Sequence, residues 1–196
     1  MILCACPGSG IRFLSKALHN VLNINIGHCA IPKGQEDTIL SKETGPHRTF
    51  YIQENCEKEK VIHLVREGMA VVWSRINDNH GFDHYLIEGY DLKLSEDKHE
   101  QFASLWVKFV EEGIKARGHK NYLEIKYEDY CLDSVNTLKK ICEFSDIPWK
   151  EEYGEKFKDM IIPSIKTYEK RNIISGKDAS KINEIIKPLM KELKYV

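Results

Sequence analysis

The chain has 196 residues, 42% of them hydrophobic and 30% charged, enough for one domain with a sizeable core. A formal net charge of −1 provides no global field for nucleic acid or an anionic membrane, so any basic site must be local. Six cysteines, at 4, 6, 29, 56, 131 and 142, form no C-x-x-C pair and no zinc-type spacing, so no metal centre is expected.

Taken in chain order, Ile2–Cys6 reads as a buried strand. Ile11–Leu22 reads as a helix, with Leu14, Leu18 and Leu22 at four-residue spacing. Ile24–His28 and Thr38–Lys42 are expected as short strands on either side of the polar loop CAIPKGQED. Pro46–Lys58 is expected as a helix. KVIHLVRE holds the nearly continuous apolar run Val61, Ile62, Leu64 and Val65, the pattern of a strand buried on both faces. Gly68–Asn77 follows as a helix, with Val71, Val72 and Arg75 at turn spacing. Residues 78–97 show no period and read as a surface insertion.

Lys98–Arg117 carries one apolar stripe at helical period, from Phe102 through Trp106 and Phe109 to Ile114. NYLEIKYED alternates like a strand that ends in a polar cluster. Asp133 is placed to cap a helix bearing Leu138, Ile141 and Cys142, which stops before Pro148. Asp178 can cap a last helix with Ile182, Ile186, Leu189 and Met190 on one face, which Pro188 is expected to bend or break. The alternation of strands and helices predicts a single α/β domain over 1–196, three layers with a central, mostly parallel sheet flanked by helices. Ligands bind such sheets beyond the carboxyl ends of the strands. That rule selects the turn at 7–12, the Arg66-Glu67 pair and the Tyr127-Glu128-Asp129 triplet.

The turn Pro7-Gly8-Ser9-Gly10 can aim backbone N–H groups from Gly8 to Arg12 into one concavity at a helix N-terminus, where the helix dipole favours an anion. Glycines at 8 and 10 admit a phosphate close to the backbone. Ser9 adds a hydroxyl and Arg12 a planar fork. An ordinary strand-to-helix turn has the same composition, and no G-x-x-x-x-G-K-[ST] string passes through it. Further on, Arg66 ends a buried strand and Ser74 follows eight residues later. The pair could converge on a phosphate; equally, Arg66 could pair with Glu67 or Asp129 and Ser74 be an ordinary helix residue.

Together, the Pro-x-Ser-Gly turn and the LVR strand end with its serine resemble the sulfotransferase family, which uses 3′-phosphoadenosine 5′-phosphosulfate as donor. YLEIKYEDY, the helix ending ICEFSDIP and the closing IIKPLMKELKY are similar to later segments of the same family, so the likeness runs nearly end to end. It implies a P-loop-like fold and no metal requirement. It also implies that Pro7, Gly8, Ser9, Gly10, Ile11, Arg12 and Phe13 surround the 5′-phosphosulfate, and that Arg66 and Ser74 hold the 3′-phosphate. Phe13 and Tyr127 would border the adenine, with either equally at home in the core, and Arg171 would close on the 3′ end. Glu128 and Asp129 are expected to hold loops together. The family's loop lysine or arginine is replaced by Gly8, so Arg12, or Lys16 one turn on, is expected to supply that charge.

A base must take the acceptor's proton. The resemblance puts it between the two anion motifs, where His28, Glu36, Glu43 and His47 lie. His28 is favoured and Glu43 is next. His63 reads as a core histidine, while His80 and His84 lie on the insertion. The expected acceptor is a small-molecule or carbohydrate hydroxyl, or an amine. The expected setting is cytoplasmic, with no leader, no membrane span and no nucleic-acid partner; oligomeric state is open. Two other readings stand: a P-loop nucleotide kinase, and a degenerate nucleotide-binding protein without turnover.

Overall fold

A computed structural model describes residues 1–24, 52–77, 95–169, 174 and 176–196, apart from the side chains at 54, 55 and 163–169. Three strands, β1 (Ile2–Ala5), β2 (Val61–Val65) and β3 (Tyr122–Lys126), form a parallel sheet in the order β1-β2-β3. Its register pairs Ile2 with Val61 and Val61 with Tyr122, so the three chains run level to their carboxyl ends.

Eight helices are described: α1 (Ile11–Leu22), α2 (Ile52–Lys58), α3 (Gly68–Asn77), α4 (Lys98–Ile114), α5 (Tyr127–Leu132), α6 (Ser134–Phe144), α7 (Glu151–Glu169) and α8 (Gly176–Glu192). Strand side chains alternate between faces, and each face has its own core. Leu3, Ala5, Ile62, Leu64 and Ile125 pack with the apolar stripes of α1, α6 and α7. On the other face Val65 packs with α3, α4 and α8, while Ile2, Cys4 and Val61 pack with α2. The sheet is thus sandwiched between helices, the α/β architecture expected.

Several boundaries differ from expectation. The expected long helix before β3 ends at Ile114, and the chain turns through Gly118, at φ 88°, into β3. Tyr127, expected to continue that strand, instead opens α5. The segment after Pro148 forms the long α7, which composition alone did not suggest. Pro188 lies inside α8 without ending it, whose first residue Gly176 precedes Asp178. Ile24 is not in a strand, and the rest of the two short strands expected between 24 and 42 lies outside the described residues, as do 46–51 of the predicted helix and 78–94 of the insertion. Asp133 does cap α6, its carboxylate accepting from the Asn136 amide.

Below the carboxyl ends, β2 and β3 carry a chain of polar groups that runs from buried His63 out to the surface. His63 Nδ1 lies 2.8 Å from the Tyr122 hydroxyl, which donates to Glu124 at 3.2 Å. Arg117 grips both oxygens of Glu124, at 2.8 and 2.9 Å, and reaches Glu192 of α8 at 2.9 Å. Burial holds His63 neutral, its pKa pushed down to about 4. Its ring lies directly on Gly113 of α4, where an added Cβ would fall 2.1 Å from Cε1.

Candidate functional site

Continuing the strand register places Pro7, Arg66 and Tyr127 side by side at neighbouring strand ends. The turn after β1 closes with Gly8 at φ 90° and Gly10 at φ 83°, left-handed conformations that glycine adopts without strain. The Ser9 amide donates to the Cys6 carbonyl at 3.1 Å. Gly10 is the N-cap of α1 and supplies no capping side chain, and the first turn of that helix holds no acidic residue. Among the described residues, the amides of Gly8, Gly10, Ile11 and Arg12 therefore have no acceptor, and the positive end of the helix dipole is uncompensated. The buried hydroxyl of Ser9, 0% exposed, has no hydrogen-bond partner among the described residues either.

Arg66 meets this turn directly. It is 4% exposed, and its Nη1 donates to the Gly8 carbonyl oxygen at 2.8 Å. The guanidinium lies 4.3 Å from the centroid of the Tyr127 ring, within cation–π range. The Trp106 indole N–H holds the Arg66 carbonyl at 3.0 Å, tying the strand end to α4. Arg66 Nε is buried without a hydrogen-bond partner among the described residues. A buried donor left open in this way costs about 1–3 kcal/mol, which an anion arriving there would offset.

The acidic neighbours do other work. Glu67 accepts from the amides of Met69 and Ala70, capping α3, and its own amide donates to Glu128. Glu128 also accepts from the Tyr195 hydroxyl at 2.7 Å, so it joins the end of β2, the start of α5 and the segment after α8. Asp129 is exposed at the surface. What holds Arg66, among the described residues, is a carbonyl and a ring.

Of the two settings expected for Tyr127, the structure shows the core one. It is 1% exposed, edge-on to Tyr130 with ring centroids 5.0 Å apart, and it supports the site from beneath. An added Cβ on Gly10 would fall 2.5 Å from Tyr127 Cε2, so glycine at that position lets the ring pack against the turn. Ile11 turns its side chain into the core and can offer a ligand only its amide. Arg12 and Lys16 are exposed on α1, and Phe13 is 46% exposed beside the turn. Ser74 is half-buried on α3. Its neighbour Arg75, which the sequence placed only on a helix face, brings a charged side chain of α3 to the turn. Arg75 Cδ lies 3.3 Å from the position a Cβ on Gly8 would take. An arginine in the last turn of an otherwise uncharged helix was the available signal.

His28, Glu36, Glu43, His47, His80, His84, Lys170 and Arg171 lie outside the described residues. Lys177 is exposed in the first turn of α8. Among the described residues, no group of three or more His, Cys, Asp or Glu side chains could hold a metal ion, and no helix is long and apolar enough to cross a membrane.

Residues 41–151, more than half of the chain, match the model of a sulfotransferase family. The chain belongs to that sulfotransferase family. The matched range contains Arg66, Ser74 and Tyr127 and begins after the turn at 7–12. A protein-tyrosine sulfotransferase A of Caenorhabditis elegans is 28% identical over 105 residues, 52% of this chain and 25% of that protein. The crystal structure of mouse sulfotransferase SULT7A1 complexed with PAP superposes with a TM-score of 0.58 at 20% identity, over 84% of this chain and 64% of that one. The chain thus spans a quarter of one relative's length and under two thirds of the other's. At this identity the mouse enzyme shows a shared sulfotransferase fold.

Proposed function

We propose that the protein is a sulfotransferase that moves a sulfuryl group from 3′-phosphoadenosine 5′-phosphosulfate to an acceptor hydroxyl. The observation that carries this reading is the contact between Arg66 and the Gly8 carbonyl, which brings a buried guanidinium against a turn of open amides. The open donors of Ser9 and Arg66 fit a doubly phosphorylated nucleotide better than a singly charged ligand. Family membership and a structural relative described as complexed with PAP support the same choice. They also weigh against a nucleotide kinase, for which the turn lacks the lysine and hydroxyl of the G-K-[ST] string.

Bound there, the donor supplies an activated sulfuryl group, whose transfer to the acceptor oxygen breaks the bond to the 5′-phosphate and leaves the electron pair on that phosphate. The amides of Gly8, Gly10, Ile11 and Arg12, with the Ser9 hydroxyl, would hold the phosphate on which charge grows. Arg66, with Ser74, would anchor the 3′-phosphate and so supply binding energy remote from the reacting atom. Tyr127 and Trp106 would keep Arg66 in place. His28, or Glu43, would take the acceptor proton, and Arg171 would close over the 3′ end. The acceptor is a small-molecule or carbohydrate hydroxyl; the tyrosine sulfotransferase relative adds a protein hydroxyl as a candidate. The five described cysteines are free, which supports a reducing, cytoplasmic setting.

The test is a thermal-shift comparison of adenosine 3′,5′-bisphosphate with ATP and ADP. The bisphosphate should stabilise the protein most, and Arg66→Met should abolish that preference. Equal shifts by all three, or a preference for ATP that requires magnesium, would overturn the reading. Tight bisphosphate binding with no sulfate transfer across a broad acceptor panel would identify a binding protein instead.

A further inference from the structure

We propose that Arg75 supplies the positive charge at the 5′ end of the site, delivered from α3 to a turn whose own position 8 has no side chain. The inference rests on the proposed binding of the donor nucleotide and names a residue within that site. A Cβ on Gly8 would lie 3.3 Å from Arg75 Cδ, 3.4 Å from Arg75 Cγ and 3.4 Å from the Val71 carbonyl oxygen. The stem of Arg75 therefore lies against the space that a side chain at position 8 would enter. Gly8 also has φ 90°, where a lysine or arginine would be strained. A cation carried by the turn itself is thus disfavoured twice, and α3 brings one in from outside.

The guanidinium of Arg75 lies 5.7 Å from the centroid of the Phe102 ring. Its charge reaches Cys6, the residue after β1, where it partly opposes the rise that burial imposes on the thiol's pKa. Arg66 grips the carbonyl of the same glycine. Gly8 is thus contacted by one arginine from the end of β2 and neighboured by another from α3. Like charges brought to one turn repel each other, and a phosphate dianion seated on the adjacent amides relieves that repulsion. A planar guanidinium can bridge two oxygens of such a phosphate. Arg12 and Lys16, which the sequence offered for this role, are exposed on α1.

The test is calorimetric titration of two ligands that differ only at the 5′ end, adenosine 3′,5′-bisphosphate and adenosine 3′-monophosphate. Wild type, Arg75→Met, Arg75→Gln and Arg66→Met are compared. Arg75→Met should weaken the bisphosphate tenfold or more and leave the monophosphate within twofold, whereas Arg66→Met should weaken both. If Arg75→Met does not fold, Arg75→Gln, with a similar stem and a polar end, should give the same selective loss. Equal weakening of both ligands by either Arg75 variant, or no weakening of either, overturns the assignment and leaves the nucleotide reading standing. Wild-type protein that binds the bisphosphate no better than ATP overturns the nucleotide reading, and the assignment falls with it.

Discussion

Two regions of this molecule set polar groups around a buried residue of β2 or its end, His63 and Arg66, with opposite outcomes. Around His63 the groups close on one another: histidine to tyrosine, tyrosine to glutamate, glutamate to a two-pronged arginine. Only His63 Nε2 lacks a partner in that chain, and the ring lies so tightly on Gly113 that nothing could approach. At the carboxyl ends of the strands the pattern reverses. Arg66 spends one nitrogen on a carbonyl, and among the described residues the amides of Gly8, Gly10, Ile11 and Arg12, the Ser9 hydroxyl and Arg66 Nε stay open. The closed chain balances its charges internally and serves the fold. The open one gathers positive charge on a turn where two glycines leave the backbone accessible.

That contrast can be broken by experiment, and the largest effect is expected in the closed region. Gly113→Ala forces a methyl to within 2.1 Å of the His63 ring, which its strand holds in place. Overpacking of this kind should cost about 3 kcal/mol or more in stability, read by urea unfolding. A cost under about 1 kcal/mol would show that the region is not tightly packed. Gly10→Ala meets the edge of Tyr127 at 2.5 Å and should lower stability and nucleotide binding together, because there the packing supports the site.

Acid should act on the closed region next. The unfolded chain protonates His63 near its ordinary pKa of 6.5, while the folded protein resists until about 4. More protons are then bound by the unfolded state across that window, so stability falls as pH drops from 6.5 toward 4. The span corresponds to about 3 kcal/mol. His63→Gln should flatten the slope of stability against pH there; an unchanged slope would assign the acid sensitivity to other groups.

In the open region the effects should fall on binding. Arg66→Met keeps an unbranched stem of similar length and removes the guanidinium with its charge-assisted contacts. It should weaken adenosine 3′,5′-bisphosphate roughly thirty-fold, about 2 kcal/mol, with His63→Gln as the neutral control. A loss under about threefold would remove Arg66 from the site. The smallest change is expected for Arg12→Ala, within about twofold, since an exposed cation contributes little. A tenfold loss would move the 5′-end charge from Arg75 back to Arg12.

Local patterns carried much of this into the sequence. The apolar run at 61–65 and the leucine spacing of α1 gave the sheet-and-helix order, because burial of one face imposes a period on the chain. The Pro-Gly-Ser-Gly turn and the strand-end arginine were visible for the same reason: each is a short-range motif. The start of α5 was not, since YLEIKYED alternates like a strand and only the packing of Tyr127 against Tyr130 and Gly10 bends it into a helix. Nor was α7, whose charged surface masks the sparse stripe of Phe157 and Ile161 that docks on α1.

The sequence by itself determined that two anion-seeking elements follow two buried strands, because strand burial and glycine conformational freedom are local properties. Only the tertiary structure decided that Arg66 touches Gly8 and that Arg75 lies against the same glycine. Those contacts depend on parallel register and on how α3 packs beside β1, and no spacing along the chain encodes the distance between them.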